Sequence, residues 1–162
     1  MRFEIQSQTD RTASGAAYVH YKAWQETYRG LMPDEFLDSH TYEKCRRYAD
    51  TYQNKFVAVV NGQAAGFAAF LPERRDFCSA ESAGEIVALY VLKKYQKAGI
   101  GKALMESCLN KIEKREVVLF VLKGNENAIG FYRRIGFRPT GREMIQQVAG
   151  GEITELEMLL KR

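Results

Sequence analysis

The N-terminal third of the chain carries apolar residues at helical spacing. FEI alternates and predicts a short strand, after which a helix is predicted from Thr9 or Asp10 through Arg29. Pro33 suits the start of a second short helix, and HTYEKCRRYADTY, from His40 to Tyr52, predicts a third. The apolar face of the first helix repeats at Ala16, His20, Ala23 and Thr27.

From Phe56 onward the pattern changes to that of strands. FVAVV and AAGFAAF are joined by Asn61-Gly62, and the three together predict a hairpin, because Asn-Gly tolerates the positive φ values of a two-residue turn. The polar segment from Pro72 to Gly84 predicts a loop. EIVALYV, from Glu85 to Val91, is rich in β-branched and aromatic residues and predicts another strand.

The rest of the chain alternates helices and strands. Leu104, Cys108 and Ile112 repeat every four residues, which predicts an amphipathic helix that starts near Gly99. The apolar run 117–122 predicts a buried strand, NENAIGFYRRIGF a short helix, and 143–160 two further strands. This order predicts an α/β fold, with helices around a mixed sheet, in a single domain over residues 1–162.

Composition narrows the class of protein. A chain of 162 residues with 46% hydrophobic residues can bury a core as one domain, and its net charge of +4 suits an acidic small molecule better than a nucleic acid. No apolar run approaches the roughly 20 residues that span a membrane, and the N-terminus does not resemble a signal peptide, so a cytoplasmic protein is expected. Three widely spaced cysteines and two histidines predict neither disulfides nor a metal site.

YQKAGIGKALM contains glycines at a predicted helix start, where a phosphate group can bind. A P-loop is excluded, because Gln96 stands where its first glycine belongs and Ala103 where its hydroxyl belongs. Leu104 stands where a dinucleotide fingerprint needs its third glycine. The remaining pattern, Q-x-x-G-x-G at the start of a helix, offers unpaired N–H groups and a positive helix dipole to a diphosphate. The lysines around the turn are Lys93, Lys94, Lys97 and Lys102.

Two motifs together resemble the GNAT superfamily of acyl-CoA-dependent N-acetyltransferases. EIVALYV followed by QKAGIG is similar to the family's pyrophosphate-binding motif, and Asn125-x-x-Ala128-x-x-Phe131-Tyr132-x-x-x-Gly136-Phe137 is similar to its second motif. The resemblance covers about Glu85 to Phe137, and WQETYRG and Pro33 also resemble the family's first helices. It implies the GNAT fold, a mixed but mostly antiparallel sheet of six to seven strands that splays around the strand from Glu85 to Val91.

The resemblance also implies acetyl-CoA as cosubstrate. Its pantetheine arm would lie along the backbone of Leu89, Tyr90 and Val91, with Asn125 binding the pantetheine or capping the following helix. Tyr132 would contact the cofactor and protonate the leaving thiolate, since a phenol with a pKa near 10 is a competent acid. The turn that would hold the pyrophosphate comprises Gln96, Lys97, Ala98, Gly99, Ile100, Gly101 and Lys102.

The acceptor would be a primary amine of a small molecule or peptide, held in a pocket with Trp24 and Tyr28 in its wall. Glu85 would deprotonate the amine through water, and direct transfer needs neither a metal nor a cysteine. A homodimer through the C-terminal strands is also implied. Two other classes stay open from the sequence: a non-catalytic acyl-CoA-binding regulatory module, and a nucleic-acid-binding protein that uses the lysine cluster.

Overall fold

The computed structural model describes residues 1–51 and 54–162, which form one seven-stranded sheet with α-helices on both faces. The strands are β1 (Glu4–Ser7), β2 (Lys55–Val60), β3 (Gln63–Leu71), β4 (Gly84–Val91), β5 (Glu116–Leu122), β6 (Arg138–Val148) and β7 (Gly151–Lys161). The helices are α1 (Asp10–Tyr28), α2 (Asp34–Asp38), α3 (Tyr42–Thr51), α4 (Ile100–Leu109) and α5 (Glu126–Ile135). The last residue of the third predicted helix, Tyr52, lies outside the described residues.

The strand order is β1-β2-β3-β4-β5-β7-β6. Only β4 and β5 run parallel to each other, and the other five neighbouring pairs within the described sheet are antiparallel. This arrangement confirms the mixed, mostly antiparallel sheet that the sequence predicted. Among the described residues, no helix is long and apolar enough to cross a membrane.

Alternating residues of the central strands place apolar side chains on both faces of the sheet. Val57 of β2 packs with Val19 of α1 on one face. Its neighbour Ala58 packs with Leu104 of α4 on the other. Helix α3 rests on α1 rather than on the sheet, where Cys45 packs with Ala17. Because side chains alternate between the two faces along each strand, helix α4 packs on one face of the sheet and the N-terminal helix α1 packs on the other.

The sheet opens between its two parallel strands. Pairing of β4 with β5 is confined to three positions, Gly84 to Ile86 opposite Val117 to Leu119. On its other side β4 stays paired with β3 as far as Val91. The β3 register passes from Ala88 to Ile86, so Val87 is the extra residue of a β-bulge. The splay around Glu85 to Val91 is therefore confirmed, and it begins at this bulge.

Candidate functional site

The turn between β4 and α4 is held in an unusual backbone conformation. A 3-10 turn at Lys93–Tyr95 follows the strand, and the Gln96 side chain then donates a hydrogen bond to the Val91 carbonyl over 3.0 Å. Lys97 has a φ of +61° and Gly99 a φ of +86°, both in the left-handed region. A non-glycine residue in that region costs about 1–3 kcal/mol of conformational free energy. Residues strained in this way are commonly found at functional turns.

This conformation leaves a row of N–H groups without acceptors. The first backbone hydrogen bond of α4 runs from the Ala103 N–H to the Gly99 carbonyl. Within the described part of the chain, the N–H groups from Lys97 to Lys102 have neither a backbone nor a side-chain acceptor. Unpaired N–H groups at the start of a helix form a binding site for an anion. The backbone geometry of this turn is that of an anion site, and the Gln96 side chain braces it, while the binding of a phosphate group there stays a prediction.

The two glycines of the turn differ in what surrounds them. A Cβ added to Gly99 would meet no atom within 4 Å, so the missing side chain leaves open space on the side of the turn. A Cβ added to Gly101 would lie 3.5 Å from the Phe131 ring and 3.9 Å from Val91, which are ordinary contacts. Only Gly99 also needs a positive φ. Gly99 is thus the residue that both shapes the turn and keeps it accessible.

The lysines beside the turn are exposed. Lys102 lies 3.7 Å from Glu106 one turn later in α4, and the Lys94 ammonium lies 4.7 Å from the centre of the Tyr95 ring. Exposed pairs of this kind contribute little to stability. These side chains remain available to contribute positive potential around the unpaired N–H groups.

Asn125 and Tyr132 belong to the start and the middle of α5. The Asn125 side-chain oxygen accepts a hydrogen bond of 3.3 Å from the Ala128 N–H and so caps the helix. Tyr132 is only 9% exposed and packs edge-on against Phe131 and Phe137. Burial, with a smaller contribution from Tyr90, raises the pKa of the Tyr132 hydroxyl. This phenol therefore stays protonated at neutral pH.

A cavity of about 310 Å³ lies beside the bulge in β4. Its wall takes in Ile86, Val87 and Ala88 of β4 and Phe120 of β5, so the cavity borders the place where the two strands part. Trp24, which the sequence placed beside the acceptor, lines this cavity. The other aromatic and polar lining residues are His20, His40, Tyr48, Arg75, Phe77, Tyr90 and Glu155.

Tyr28 lies behind this wall and is 8% exposed. Its hydroxyl is 3.4 Å from that of Tyr90, and its ring meets Trp24 edge-on. Tyr28 is expected in the wall but does not line the cavity itself, and it contacts two residues that do, Tyr90 and Trp24. Burial raises the pKa of Tyr90 well above its ordinary value, so this pair of hydroxyls is neutral.

Glu85 is fully buried rather than solvated at the strand end. Its carboxylate accepts hydrogen bonds from the Arg75 backbone N–H at 3.0 Å and from Nε at 3.0 and 3.1 Å, and it forms an ion pair with the same guanidinium. The thiol of Cys78 lies 3.7 Å away. Glu85 does not line the cavity, whereas Arg75 does. This geometry favours a structural role for Glu85 over the expected role as the base.

Glu155 is the carboxylate that lines the cavity, and the sequence interpretation missed it. It lies in β7 on the same face as Ile153 and Glu157, and Gln146 donates to it over 3.0 Å. Burial raises the pKa of Glu155, while the charge of Arg75 acts in the opposite direction. In the sequence Glu155 alternates with the apolar residues Leu156, Met158 and Leu160, which is the ordinary pattern of a strand, so no local signal marks it.

The cavity wall also holds two neutral imidazoles. Burial, followed by the charges of His40 and Lys55, lowers the pKa of His20 to about 3. Burial and Lys44 lower the pKa of His40 to about 4. Trp24 stacks on His40 with ring centres 3.7 Å apart, and Tyr90 stacks on His20 at 5.4 Å. Besides the imidazoles and the tyrosines, Arg75 and Glu155 are the ionisable residues of the cavity wall.

Known proteins share both the sequence motifs and the fold. Residues 19–137 match the Acetyltransferase (GNAT) family. The chain is 26% identical over 133 residues to the probable N-acetyltransferase Rv2775 of Mycobacterium tuberculosis, which covers 78% of this chain and 74% of that protein. It is 30% identical over 95 residues to the uncharacterized N-acetyltransferase YuaI of Bacillus subtilis. This match spans about half of YuaI, 52% of its length.

A solved structure extends the similarity to the whole fold. The PaiA N-acetyltransferase from Thermoplasma acidophilum, solved in complex with coenzyme A, matches with a TM-score of 0.71 over 100% of both chains at 20% identity. The family match includes the glycine turn before α4 as well as α5 with Asn125 and Tyr132. The parting of β4 from β5 and the unpaired N–H groups at the start of α4 are consistent with these similarities. The chain therefore belongs to the acetyltransferase (GNAT) family.

Proposed function

We propose that this protein transfers an acetyl group from acetyl-CoA directly to a primary amine of a small molecule or peptide. The observation that carries the proposal is the opening between β4 and β5, which borders the aromatic cavity at the bulge and leads along β4 to the turn before α4. A thioester in that opening would lie between a diphosphate site and an acceptor site. The PaiA relative, of the same fold, was solved with coenzyme A bound.

The cofactor would bind mainly to backbone. The edge of β4 that faces away from β3 has no pairing with β5 beyond Ile86, so peptide groups near Leu89, Tyr90 and Val91 can receive the amides of pantetheine. The N–H groups from Lys97 to Lys102 would bind the pyrophosphate. Asn125 is 9% exposed, and its capping bond leaves the side-chain amide N–H₂ to donate to the pantetheine.

The acceptor cavity favours a cationic amine. Arg75 is paired with Glu85, which balances its charge although Glu85 does not line the cavity, and the Glu155 carboxyl group lines the wall as a partner for a cation. A raised pKa improves a carboxylate as a base toward an ammonium group. We assign the proton-accepting role to Glu155, acting through water, and a supporting role to Glu85, which holds Arg75 in place.

The proposed reaction proceeds without an acyl-enzyme. The ammonium gives a proton to Glu155, and the neutral amine then attacks the thioester carbon. The C–S bond breaks, its electron pair goes to sulfur, and the Tyr132 hydroxyl donates its proton to the thiolate. The proton lost by the new amide nitrogen restores the hydroxyl through water. Because burial raises the pKa of Tyr132, the phenol starts the cycle protonated.

Thiol release from acetyl-CoA tests the proposal. A panel of polyamines, amino acids, aminoglycosides and short peptides should contain acceptors that release CoA in proportion to the acetylated product. Binding of acetyl-CoA without release by any amine would contradict enzymatic activity and point to a non-catalytic module. Absence of binding at tens of micromolar, measured by calorimetry, would contradict the cofactor assignment as well.

Tyr132→Phe tests the acid. Loss of a general acid should lower kcat by about 100-fold or more, with the affinity for CoA nearly unchanged. Tyr18→Phe is the matched control, because Tyr18 is 49% exposed on α1 and loses the same hydroxyl outside the cavity. Equal rates in the two variants would remove Tyr132 from the mechanism. The expected homodimer and the cytoplasmic location stay predictions.

A further inference from the structure

Three potential metal ligands converge beside the acceptor cavity. His20 comes from α1, His40 from the turn between α2 and α3, and Cys45 from the first half of α3. One ligand atom from each lies within 4.8 Å of the other two, and His40 Nε2 is 3.1 Å from Cys45 Sγ. The sequence predicted no metal site, because the three cysteines are widely spaced without a Cys-x-x-Cys pair and there are only two histidines. His20 joins His40 and Cys45 only through the packing of α3 on α1.

The cluster has the size and chemistry of a zinc site. With Zn–N and Zn–S bonds of about 2.0–2.3 Å, tetrahedral geometry places ligand atoms about 3.4–3.6 Å apart. The separation of His40 Nε2 from Cys45 Sγ, 3.1 Å, and the limit of 4.8 Å for all three ligand atoms are compatible with this spacing. Two imidazoles and a thiolate suit zinc, whereas magnesium and calcium prefer oxygen ligands.

The surroundings of His20 also favour a ligand. This residue is 6% exposed, and its Nδ1 has no hydrogen-bond partner among the residues that the structure describes. Stacking on Tyr90 fixes the His20 ring, and stacking on Trp24 fixes that of His40. A cation bound to the His20 ring would be the partner that Nδ1 lacks, and the stacked rings would hold the ligands in place.

We propose that His20, His40 and Cys45 bind a Zn²⁺ ion in the wall of the acceptor cavity. Three protein ligands leave the fourth tetrahedral position for water or for a donor atom of a bound molecule. Because the ligands join α1, α3 and the turn before α3, the ion would also fix these helices against each other.

A positive charge opposes the cation at this place. Lys55 is 3% exposed, and its ammonium donates to the carbonyls of Tyr48 and Ala49. It contributes to the lowered pKa of His20, so it lies close enough to repel Zn²⁺. Deprotonation of Cys45 on binding supplies a compensating negative charge. We therefore expect zinc binding to release about one proton per ion.

Cobalt binding tests the site directly. Full-length protein freed of metal with a chelator should bind a single Co²⁺ with the near-ultraviolet thiolate-to-cobalt absorption and the visible bands of tetrahedral coordination, and Zn²⁺ should displace both. Zinc should bind with a dissociation constant on the order of 1 µM or tighter. A dissociation constant above about 100 µM would overturn the proposal.

Matched cysteine variants decide whether the cluster is the site. Cys45→Ala should abolish the thiolate absorption, whereas Cys108→Ala, which removes an equally buried thiol from α4, should retain it. His40→Gln, at a partly exposed position, is a second test should Cys45→Ala fold poorly. Retention of the thiolate absorption in Cys45→Ala or of tight binding in His40→Gln would refute the assignment.

Thermal unfolding supplies a readout that does not depend on acetyl transfer. Zinc at about 100 times its dissociation constant should raise the Tm of the wild-type protein by about 5–10 °C. The same Tm shift in Cys45→Ala would contradict the proposal. None of these measurements uses acetyl-CoA, so their failure leaves the proposed acetyl transfer intact, and the reverse also holds.

Discussion

Replacing the two glycines of the cofactor turn by alanine should have opposite effects. Gly99 has a φ of +86°, a conformation that costs an L-residue about 1–2 kcal/mol. Gly101 lies inside α4 without a positive φ, and its added methyl group would make ordinary contacts with Phe131 and Val91. Alanine is favoured over glycine within a helix by about 0.5–1 kcal/mol. We therefore expect Gly99→Ala to destabilise the protein and Gly101→Ala to stabilise it slightly.

The effects on cofactor binding should differ as well. A methyl group on Gly99 enters open space on the side of the turn, and strain in the backbone turns its N–H groups away from the anion. Loss of one hydrogen bond to a charged group costs about 1.5–3 kcal/mol, which corresponds to about a 10- to 150-fold weaker affinity for CoA. The methyl group on Gly101 points toward Phe131 instead, so the affinity should change by less than about threefold.

Thermal unfolding and calorimetric titration with CoA measure the two effects separately. For a domain of this length, Tm should fall by about 2–8 °C in Gly99→Ala and rise by about 1–4 °C in Gly101→Ala. The reasoning fails if Gly101→Ala loses as much affinity as Gly99→Ala, because the two added methyl groups would then not differ in direction. It also fails if Gly99→Ala keeps both its stability and its affinity, since the left-handed conformation would then impose no cost.

Two carboxylates in β7 give further predictions. Because burial raises the pKa of Glu155, the wild-type rate should fall as pH drops through a value above the ordinary carboxylate pKa. Glu155→Gln should lower kcat/KM by about 100-fold or more and abolish this fall of the rate at acidic pH. Glu152→Gln, at an exposed position of the same strand, is the control and should retain the fall. An unchanged pH profile in Glu155→Gln would assign the base elsewhere. Burial disfavours the charge of Glu157, but hydrogen bonds from Ser79 and Thr140 prevail and lower its pKa. This stabilisation is complete above the unfolded pKa of about 4.3 and is lost as pH falls through the lower folded value. Glu157→Gln should therefore cost about 1–3 kcal/mol at pH 7 in urea denaturation, and a constant difference down to pH 2 would contradict the role of the charge.

Local patterns in the sequence predicted the parts of the site that are made locally. The cofactor turn follows from the position of Gly99 between a strand and an amphipathic helix, and the order of elements follows from their periods. The extra residue at Val87 and the left-handed conformation of Lys97 escaped prediction, because side chains of those types give no signal for either. Pairing of Glu85 with Arg75 joins a strand to a polar loop, and such a contact depends on tertiary packing.

The acceptor cavity was predicted only in outline for the same reason. Its wall combines residues from α1, α3, four strands and two loops, and no short segment contains more than a few of them. Trp24, which the sequence placed beside the acceptor because it lies on the first helix of the family pattern, lines this cavity, and its contact with an acceptor stays a prediction. The place of Glu155 and the two histidines in the wall could not be predicted from the sequence. These residues come together only through the packing of distant elements, among them α3 and β7.

Main-chain N–H groups form the cofactor turn, whereas side chains form the acceptor cavity, and this difference separates two kinds of evolutionary change. A mutation at Lys97, Ala98 or Lys102 alters a side chain but leaves the N–H groups in place. A mutation in the cavity changes its shape or charge directly. Under the proposed function, a lineage with this architecture would take up a new amine through substitutions in the wall while it keeps the same acyl donor. For enzyme engineering, the cavity residues are the positions to randomise and Gly99 is the position to leave unchanged.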